Sequence, residues 1–120
     1  MVEPQWTPTD VDIEQANVTG FTRFVEERHG LDLPDYRALW QWSVDEPGDF
    51  WQAVWDAFDV VSHADPGPAL ADASMPGAVW FPGARVNFTE YVFRERPPDE
   101  AAVVHLDEEG HRREIGWAEL

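Results

Sequence analysis

Apolar residues recur at three- and four-residue spacing through the first half of the chain, which predicts amphipathic helices. The first predicted helix opens near Asn17 or Thr19, either of which can cap it, and ends at Gly30, a residue suited to a left-handed C-terminal turn. The second begins at Pro34, because proline is favoured at the first helical position. The positions expected to be buried along these helices are Val18, Phe21, Phe24, Val25, Tyr36, Leu39 and Trp40.

A helix junction divides the aromatic-rich middle of the chain. One helix is predicted to stop near Trp42 and another to start by Pro47. Ser43 and Glu46 have the spacing of a capping box, and Asp45 is a competing cap. Tryptophan and phenylalanine at helical spacing are more typical of a core than of a cofactor pocket, so we expect the next helix to bury its stripe of Phe50, Trp51, Val54, Trp55 and Phe58.

Turns and a short helix are predicted after this stripe. Proline and glycine mark turns at residues 65–68 and 75–77. Asn87 or Thr89 can cap a helix that carries the next aromatic residues. Pro97 and Pro98 are then expected to end this helix.

The two ends of the chain have different predicted structures. Residues 1–16 are polar, with two prolines and many acids, and predict an extended lead-in in which Trp6 is the one large anchor before Ile13. Residues 101–106 and 112–115 have strand composition on either side of a turn that ends in glycine, which predicts a β-hairpin. The expected fold class is therefore mainly α with a small C-terminal β-hairpin.

Composition narrows the possible partners. The net charge of −16, with no lysine, would repel phosphate and anionic lipid, so we expect neither a nucleic-acid nor a membrane partner. The acidic residues are dispersed, which favours a surface adapted to high salt over an ordinary acidic surface. Cysteine is absent, which excludes disulfides and cysteine-ligated metals. The N-terminus lacks signal-peptide features and no apolar run approaches the roughly 20 residues of a membrane span, so a cytoplasmic location is expected.

Motifs that carry chemistry are missing from the sequence. No phosphate-binding loop, dinucleotide-binding glycine pattern or nucleophile elbow occurs. His29, His63, His105 and His111 are scattered without the spacing of metal ligands. His63 beside Asp65 is too small a group for a metal or relay site, and His29 is interpreted as a cation at a helix end. We therefore assign no catalytic, cofactor-binding or metal-binding residue.

Two motifs carry a family resemblance. Residues 39–44 read Leu-Trp-Gln-Trp-Ser-Val and are followed by Phe50-Trp51, and residues 80–88 read Trp-Phe-Pro-Gly-Ala-Arg-Val-Asn-Phe. In this order they resemble the N-terminal region of the acetyl-CoA synthetase group of adenylate-forming enzymes, and they are most like acetoacetyl-CoA synthetases (acetoacetate–CoA ligases). The second motif is close to the family's Trp-Phe-x-Gly-x-x-Leu-Asn-Tyr pattern. Departures from the family stand at Val86, Phe88 and Tyr91.

The resemblance covers roughly residues 17–120 and implies a domain organisation. After the lead-in, residues 17–98 would be the helical region typical of the acetyl-CoA synthetase N-terminus. Residues 99–120 would be the truncated start of the AMP-binding (adenylation) domain. The implied fold is an N-terminal helical cap plus the first strands of an α/β adenylate-forming fold, incomplete in this chain.

The resemblance also implies a two-step ligase reaction for a whole enzyme. A carboxylic acid reacts with Mg-ATP to give an acyl-adenylate and pyrophosphate, and CoA then displaces AMP. ATP, Mg and CoA are implied for a full-length enzyme, but the family's binding and catalytic elements lie downstream and match no residue here. We expect this segment to bind none of them and to be inactive alone, with the adenylation domain of the same or a split ligase as its partner. The alternative is a stand-alone helical protein-interaction module with an aromatic binding face.

Overall fold

A computed structural model of the chain describes residues 5–120, which divide into two structural units, the first ending at Arg85 and the second being Val86–Leu120. The described part is mostly helical with two small antiparallel hairpins, so the predicted mainly-α class with a C-terminal hairpin is confirmed. The helices are α1 (Asp10–Gln15), α2 (Asn17–His29), α3 (Tyr36–Asp45), α4 (Pro47–Ala57) and α5 (Phe88–Phe93). The strands are β1 (Leu70–Asp72), β2 (Val79–Trp80), β3 (Ala101–Leu106) and β4 (Arg112–Gly116), followed by a 3₁₀ turn at Trp117–Glu119.

Helix α1 interrupts the lead-in that was predicted to be extended. Its first turn is a capping box, in which the Asp12 amide donates to Thr9 Oγ1 at 3.2 Å and the Thr9 amide donates to Asp12 Oδ2 at 2.8 Å. The lead-in prediction is wrong for this helix, because this local pair satisfies the first amides of a six-residue helix that has little apolar periodicity. The part of that prediction on residues 1–4 lies outside the described residues.

Helix α2 begins and ends where the sequence predicts, but its predicted N-terminal cap does not form. It begins after Ala16 without a side-chain cap, so the prediction of Asn17 or Thr19 as the cap is wrong. Thr19 Oγ1 instead donates back to the Ile13 carbonyl at 2.6 Å, which ties α2 to α1. The C-terminal end is confirmed, since Gly30 has φ of 65° and its amide bonds to the Glu26 carbonyl.

The junctions at either end of α3 differ from the prediction. Asp35 caps α3 by accepting the Ala38 amide at 2.8 Å, so Pro34 lies before the helix and not at its first position. The helix runs on to Asp45, and Ser43 Oγ donates to the Trp40 carbonyl, so neither the Ser43–Glu46 capping box nor the Asp45 cap forms. The predicted start of α4 at Pro47 is confirmed.

The core of the first unit is small. Helices α2, α3 and α4 enclose Val25, Leu33, Leu39 and Ala53, with Phe21, Phe24, Leu31, Ala38 and Trp42 packed against them. The burial expected from helical spacing is right for Val25 and Leu39. It is wrong for five exposed residues, Val18, Tyr36, Trp40, Trp51 and Phe58, which are 44%, 71%, 48%, 46% and 42% exposed. Three helices of 10–13 residues therefore leave much of their aromatic surface uncovered.

A short hairpin of β1 and β2 packs against α4 and was not predicted. Leu70 pairs with Trp80 and Asp72 with Val79, with an irregularity between the two pairs. The segment after β2 lies beside the segment between α4 and β1, because the His63 amide donates to the Arg85 carbonyl at 2.8 Å. The hairpin thus brings the residues around Trp80 to the surface of α4.

The second unit contains α5 and the hairpin of β3 and β4. Asn87 caps α5 by accepting the Thr89 and Glu90 amides, which selects Asn87 from the two predicted caps. The predicted hairpin is confirmed, with pairs that include Val103 with Ile115 and Leu106 with Arg112. The second unit begins at Val86, 13 residues before residue 99. The start of an adenylation domain at residue 99 stays a prediction.

Candidate protein-docking surface

Helix α4 and strand β2 together form an exposed groove of about 370 Å³, lined by Trp51, Trp80 and Phe81. The Trp51 and Trp80 rings meet edge to face, with centroids 6.2 Å apart and an interplanar angle of 71°. They remain 46% and 40% exposed. We call these three residues the aromatic groove. Among the residues that the structure describes, the lining is entirely aromatic, which suits contact with another apolar surface.

Phe81 sets the shape of the aromatic groove through its backbone. Its φ is 39°, a left-handed conformation that a bulky residue adopts at a cost of about 1–2 kcal/mol. Its amide donates to the Ala69 carbonyl at 3.2 Å, and its carbonyl accepts the Ala84 amide at 2.9 Å. The ring then stacks on Trp55 with centroids 4.5 Å apart. This turn directs Phe81 onto α4 and leaves the preceding Trp80 at the surface.

Gly83 holds the loop behind the aromatic groove close to its neighbour. Its amide donates to the Pro66 carbonyl at 3.1 Å. A Cβ at this position would collide with the Asp65 carbonyl oxygen, so only glycine permits this approach. The glycine of the Trp-Phe-x-Gly motif therefore has a structural reason in this chain.

Phe50 connects the aromatic groove with the core. Its ring lies edge-on to Phe21, Trp42 and Trp51, at centroid distances of 5.8, 6.0 and 5.3 Å. The Trp42 ring in turn lies 5.2 Å from His29. The exposed rings are thus the outer members of a continuous aromatic cluster, and their positions depend on the same contacts that hold the helices together.

Three carboxylates of the described residues have a pKa below the ordinary carboxyl value. Hydrogen bonds lower the pKa of Asp12 through the Thr9 side chain, of Asp72 through the Ser74 side chain and of Asp107 through the His111 amide. Each of these carboxylates accepts a backbone amide in a local turn or cap. The three described residues that line the groove are all aromatic, so they offer apolar contacts.

The histidines considered in the sequence analysis differ in their local contacts. The His63 amide donates a hydrogen bond to the Arg85 carbonyl, and His105 lies in β3. The Nδ1 atom of His111 lies 2.9 Å from Asp107 Oδ2. Between residues 5 and 120, the structure brings together no group of three or more histidine or acidic side chains placed to hold a metal ion. In the same range, none of the helices combines the length and the apolar character needed to cross a bilayer.

Comparison with known proteins identifies the region that carries the aromatic groove. Residues 36–92 match the family described as acetyl-coenzyme A synthetase N-terminus. The chain is similar to the N-terminal region of the acetyl-CoA synthetase group. The match includes α3, α4, the β1–β2 hairpin and all three groove residues. The family resemblance inferred from the two sequence motifs is therefore confirmed.

The relatives are much longer than this chain. Acetoacetyl-coenzyme A synthetase of Rhizobium meliloti (strain 1021) is 32% identical over 117 residues, which are 98% of this chain and 18% of that protein. Malonamoyl-CoA synthetase vrtB of Penicillium aethiopicum is 35% identical over 115 residues, which are 89% of this chain and 16% of that protein. Acetoacetyl-CoA synthetase of Xenopus tropicalis is 30% identical over 122 aligned positions, which cover 96% of this chain and 17% of that protein. The chain thus spans less than a fifth of these relatives, and no solved structure matches it significantly.

The aromatic groove was only partly visible from sequence. Both of its segments, Phe50-Trp51 and Trp80-Phe81, carried the family resemblance. Their meeting in space required the β1–β2 hairpin, whose strands of three and two residues are too short for an alternating pattern. The paired occurrence of aromatic residues in the two motifs was the available signal.

Proposed function

We propose that this chain is the N-terminal structural segment of an acyl-CoA synthetase and packs on the adenylation portion of that enzyme. The observation that carries the proposal is the exposed aromatic groove within residues 36–92, the region that matches the family. The segment itself performs no chemical step. Its role is to cover and stabilise the synthetase with its apolar side.

The balance of buried and exposed residues supports this role. Among the residues that the structure describes, five hydrophobic residues are buried, whereas 21 large hydrophobic residues are exposed. A water-soluble domain exposes some apolar surface, but rings gathered in one groove are typical of an interface. Apolar surface in contact with water is unfavourable. A segment that packs on a larger enzyme would have this surface covered, whereas a fold that functions alone would leave it exposed.

The proposed whole enzyme is an acetoacetate– or acetate–CoA ligase that converts ATP, the carboxylate and CoA into acyl-CoA, AMP and pyrophosphate. ATP, Mg and CoA would bind the adenylation portion, with none held by this segment. Residues 99–120 would supply the first strands of the α/β adenylate-forming fold through β3 and β4. The relatives named above include a malonamoyl-CoA synthetase, so the acyl group is proposed only as a short acid.

A chimera tests the proposal. In the Rhizobium meliloti synthetase, the matched 18% is replaced by this chain, and a matched control carries an unrelated soluble domain of the same length. We expect the chimera to be soluble and to form acetoacetyl-CoA, and the control to lose both properties. A chimera that is no more soluble or active than the control would contradict the proposal.

The alternative function is a stand-alone module that binds another protein through the aromatic groove. It requires the 120-residue chain by itself to stay monodisperse in high salt as its concentration rises. The synthetase-segment proposal instead expects the isolated chain to bind a neutral hydrophobic dye and to aggregate as its concentration rises. Light scattering and dye fluorescence on the purified chain distinguish the two.

A further inference from the structure

Helix α1 lies on the protein without contributing to its core. None of its six residues is buried, and its apolar residues Val11 and Ile13 are exposed. A helix this short is unstable in water when it stands alone, because few backbone hydrogen bonds offset the cost of forming its first turn. Its stability therefore depends on the capping box of Thr9 and Asp12 and on side-chain contacts with α2.

Two side chains of α2 make such contacts. Arg23 binds Glu14 with both terminal nitrogens of its guanidinium, with Nη1 at 2.8 Å from Oε1 and Nη2 at 2.6 Å from Oε2. Thr19 Oγ1 donates to the Ile13 carbonyl at 2.6 Å. A bidentate pair is the most favourable geometry for an ion pair at a protein surface. The Arg23 and Glu14 side chains are 59% and 64% exposed, so this pair can separate without opening the core.

The junction of α1 and α2 forms one wall of a cleft of about 320 Å³. Glu14 and Gln15 line the cleft from α1, and Phe21, Phe24 and Phe58 are its aromatic lining. Because the pair with Arg23 holds Glu14 beside α2, movement of α1 away from α2 would remove part of this wall and widen the cleft.

We propose that α1 is a strap that opens as a separate unit, that the Arg23–Glu14 pair is its latch, and that its opening widens this cleft. The core can stay folded meanwhile, because its buried cluster of Val25, Leu33, Leu39 and Ala53 takes no residue from α1. Opening of the strap does not depend on the proposed packing against a synthetase.

Native-state amide hydrogen exchange of the 120-residue chain in low concentrations of urea tests the strap. The Ile13 amide, which bonds to the Thr9 carbonyl, reports on α1, and the Val25 amide reports on the core. After correction for intrinsic rates, we expect Ile13 to exchange at least roughly tenfold faster than Val25. Its rate should be nearly independent of urea, because a local opening exposes little surface. One rate and one urea dependence for both amides would place α1 in the core unit and overturn the proposal.

Two arginine substitutions test the latch. Arg23→Gln removes the bidentate pair and should raise the exchange rate of Ile13 about two- to fivefold. Arg28→Gln is the matched control, because Arg28 lies on the same helix but pairs with Asp56 of α4, at 2.7 Å, and it should leave the rate of Ile13 unchanged. Equal effects of the two variants on Ile13, or no effect of Arg23→Gln, would show that the pair is not the latch.

A single thiol tests the widening of the cleft. The chain has no cysteine, so Ala57→Cys introduces one thiol into the lining. Its reaction with a maleimide reagent should be faster when Arg23→Gln is present, because Arg23→Gln raises the fraction of molecules with an open strap. An unchanged reaction rate, in a chain whose Ile13 exchange has risen, would show that the strap opens without widening the cleft and would overturn that part of the proposal.

Discussion

The Phe81 ring stacks on Trp55 with centroids 4.5 Å apart and planes inclined by 29°. This contact joins the motif at residues 80–88 to the helix that carries the other family motif. One turn earlier on α4, Trp51 meets Trp80 but stays 46% exposed. The same helix therefore has one aromatic position that holds the unit together and another that remains available for docking.

Truncation of these two tryptophans should separate the two roles. Truncating a fully buried tryptophan to alanine costs about 3–5 kcal/mol. From the structure, we expect Trp55→Ala to lower the free energy of unfolding by about 3 kcal/mol and Trp51→Ala by about 1–2 kcal/mol, because nearly half of the Trp51 side chain already contacts water. Urea unfolding of the isolated chain measures both. A loss for Trp51→Ala as large as that for Trp55→Ala would show that Trp51 is core.

Gly83 and Gly20 form a matched pair of alanine substitutions. Gly83→Ala should unfold or rearrange the loop, because its Cβ would collide with the Asp65 carbonyl oxygen. Gly20→Ala lies inside α2 with no atom within 4 Å of the added Cβ, and should raise stability by about 0.5–1 kcal/mol. Thermal unfolding followed by circular dichroism compares them. Similar melting temperatures for the two variants would be inconsistent with this close approach.

Salt should stabilise the chain if its surface is adapted to high ionic strength, as its composition suggests. Self-repulsion from a net charge of −16 is screened when the Debye length falls from about 10 Å at 0.1 M to about 3 Å at 1 M. We expect the urea midpoint to rise over this range of potassium chloride. A variant that replaces the exposed Glu27, Asp32 and Glu108 by their amides should show a shallower rise. An unchanged midpoint in the parent chain argues against the salt-adapted surface.

Acid should loosen the turn between β3 and β4. The His111 amide, first among several donors, lowers the pKa of Asp107, whose Oδ1 also accepts the Glu109 amide at 3.0 Å. Because the folded-state pKa is depressed, the stabilisation is present above the ordinary carboxyl pKa of about 4 and is lost as the pH falls through the lower folded value. Amide hydrogen exchange at Glu109 and His111 should accelerate in that window, after correction for intrinsic rates. Asp107→Asn should remove this step and the neighbouring Glu108→Gln should retain it; an unaltered step in Asp107→Asn would refute the assignment.

The elements that sequence predicted well are those with strong local signals. Gly30 ends α2 because it can adopt a positive φ, Pro47 starts α4 because its ring fixes φ, and the long hairpin follows from strand composition around a glycine turn. Helix α1 was missed because six residues carry too little periodicity, and the β1–β2 hairpin because its strands are shorter still. These short elements depend on capping and tertiary contact.

Burial was harder to predict than secondary structure, and the aromatic groove shows why. Helical spacing places Trp51 and Trp55 on one side of α4, but it does not say how far the opposing surface extends. Phe81 covers Trp55, whereas β2 ends at Trp80 and leaves part of Trp51 exposed. A core pattern in the sequence therefore indicated an apolar surface without indicating which molecule covers it.

The most direct measurement of the central claim is the acetoacetate-dependent CoA ligase activity of the Rhizobium synthetase chimera that carries this chain. The account predicts a soluble chimera with activity well above that of the matched protein containing an unrelated domain. Activity and solubility equal to those of the unrelated-domain protein would contradict the claim that this chain packs on an acyl-CoA synthetase.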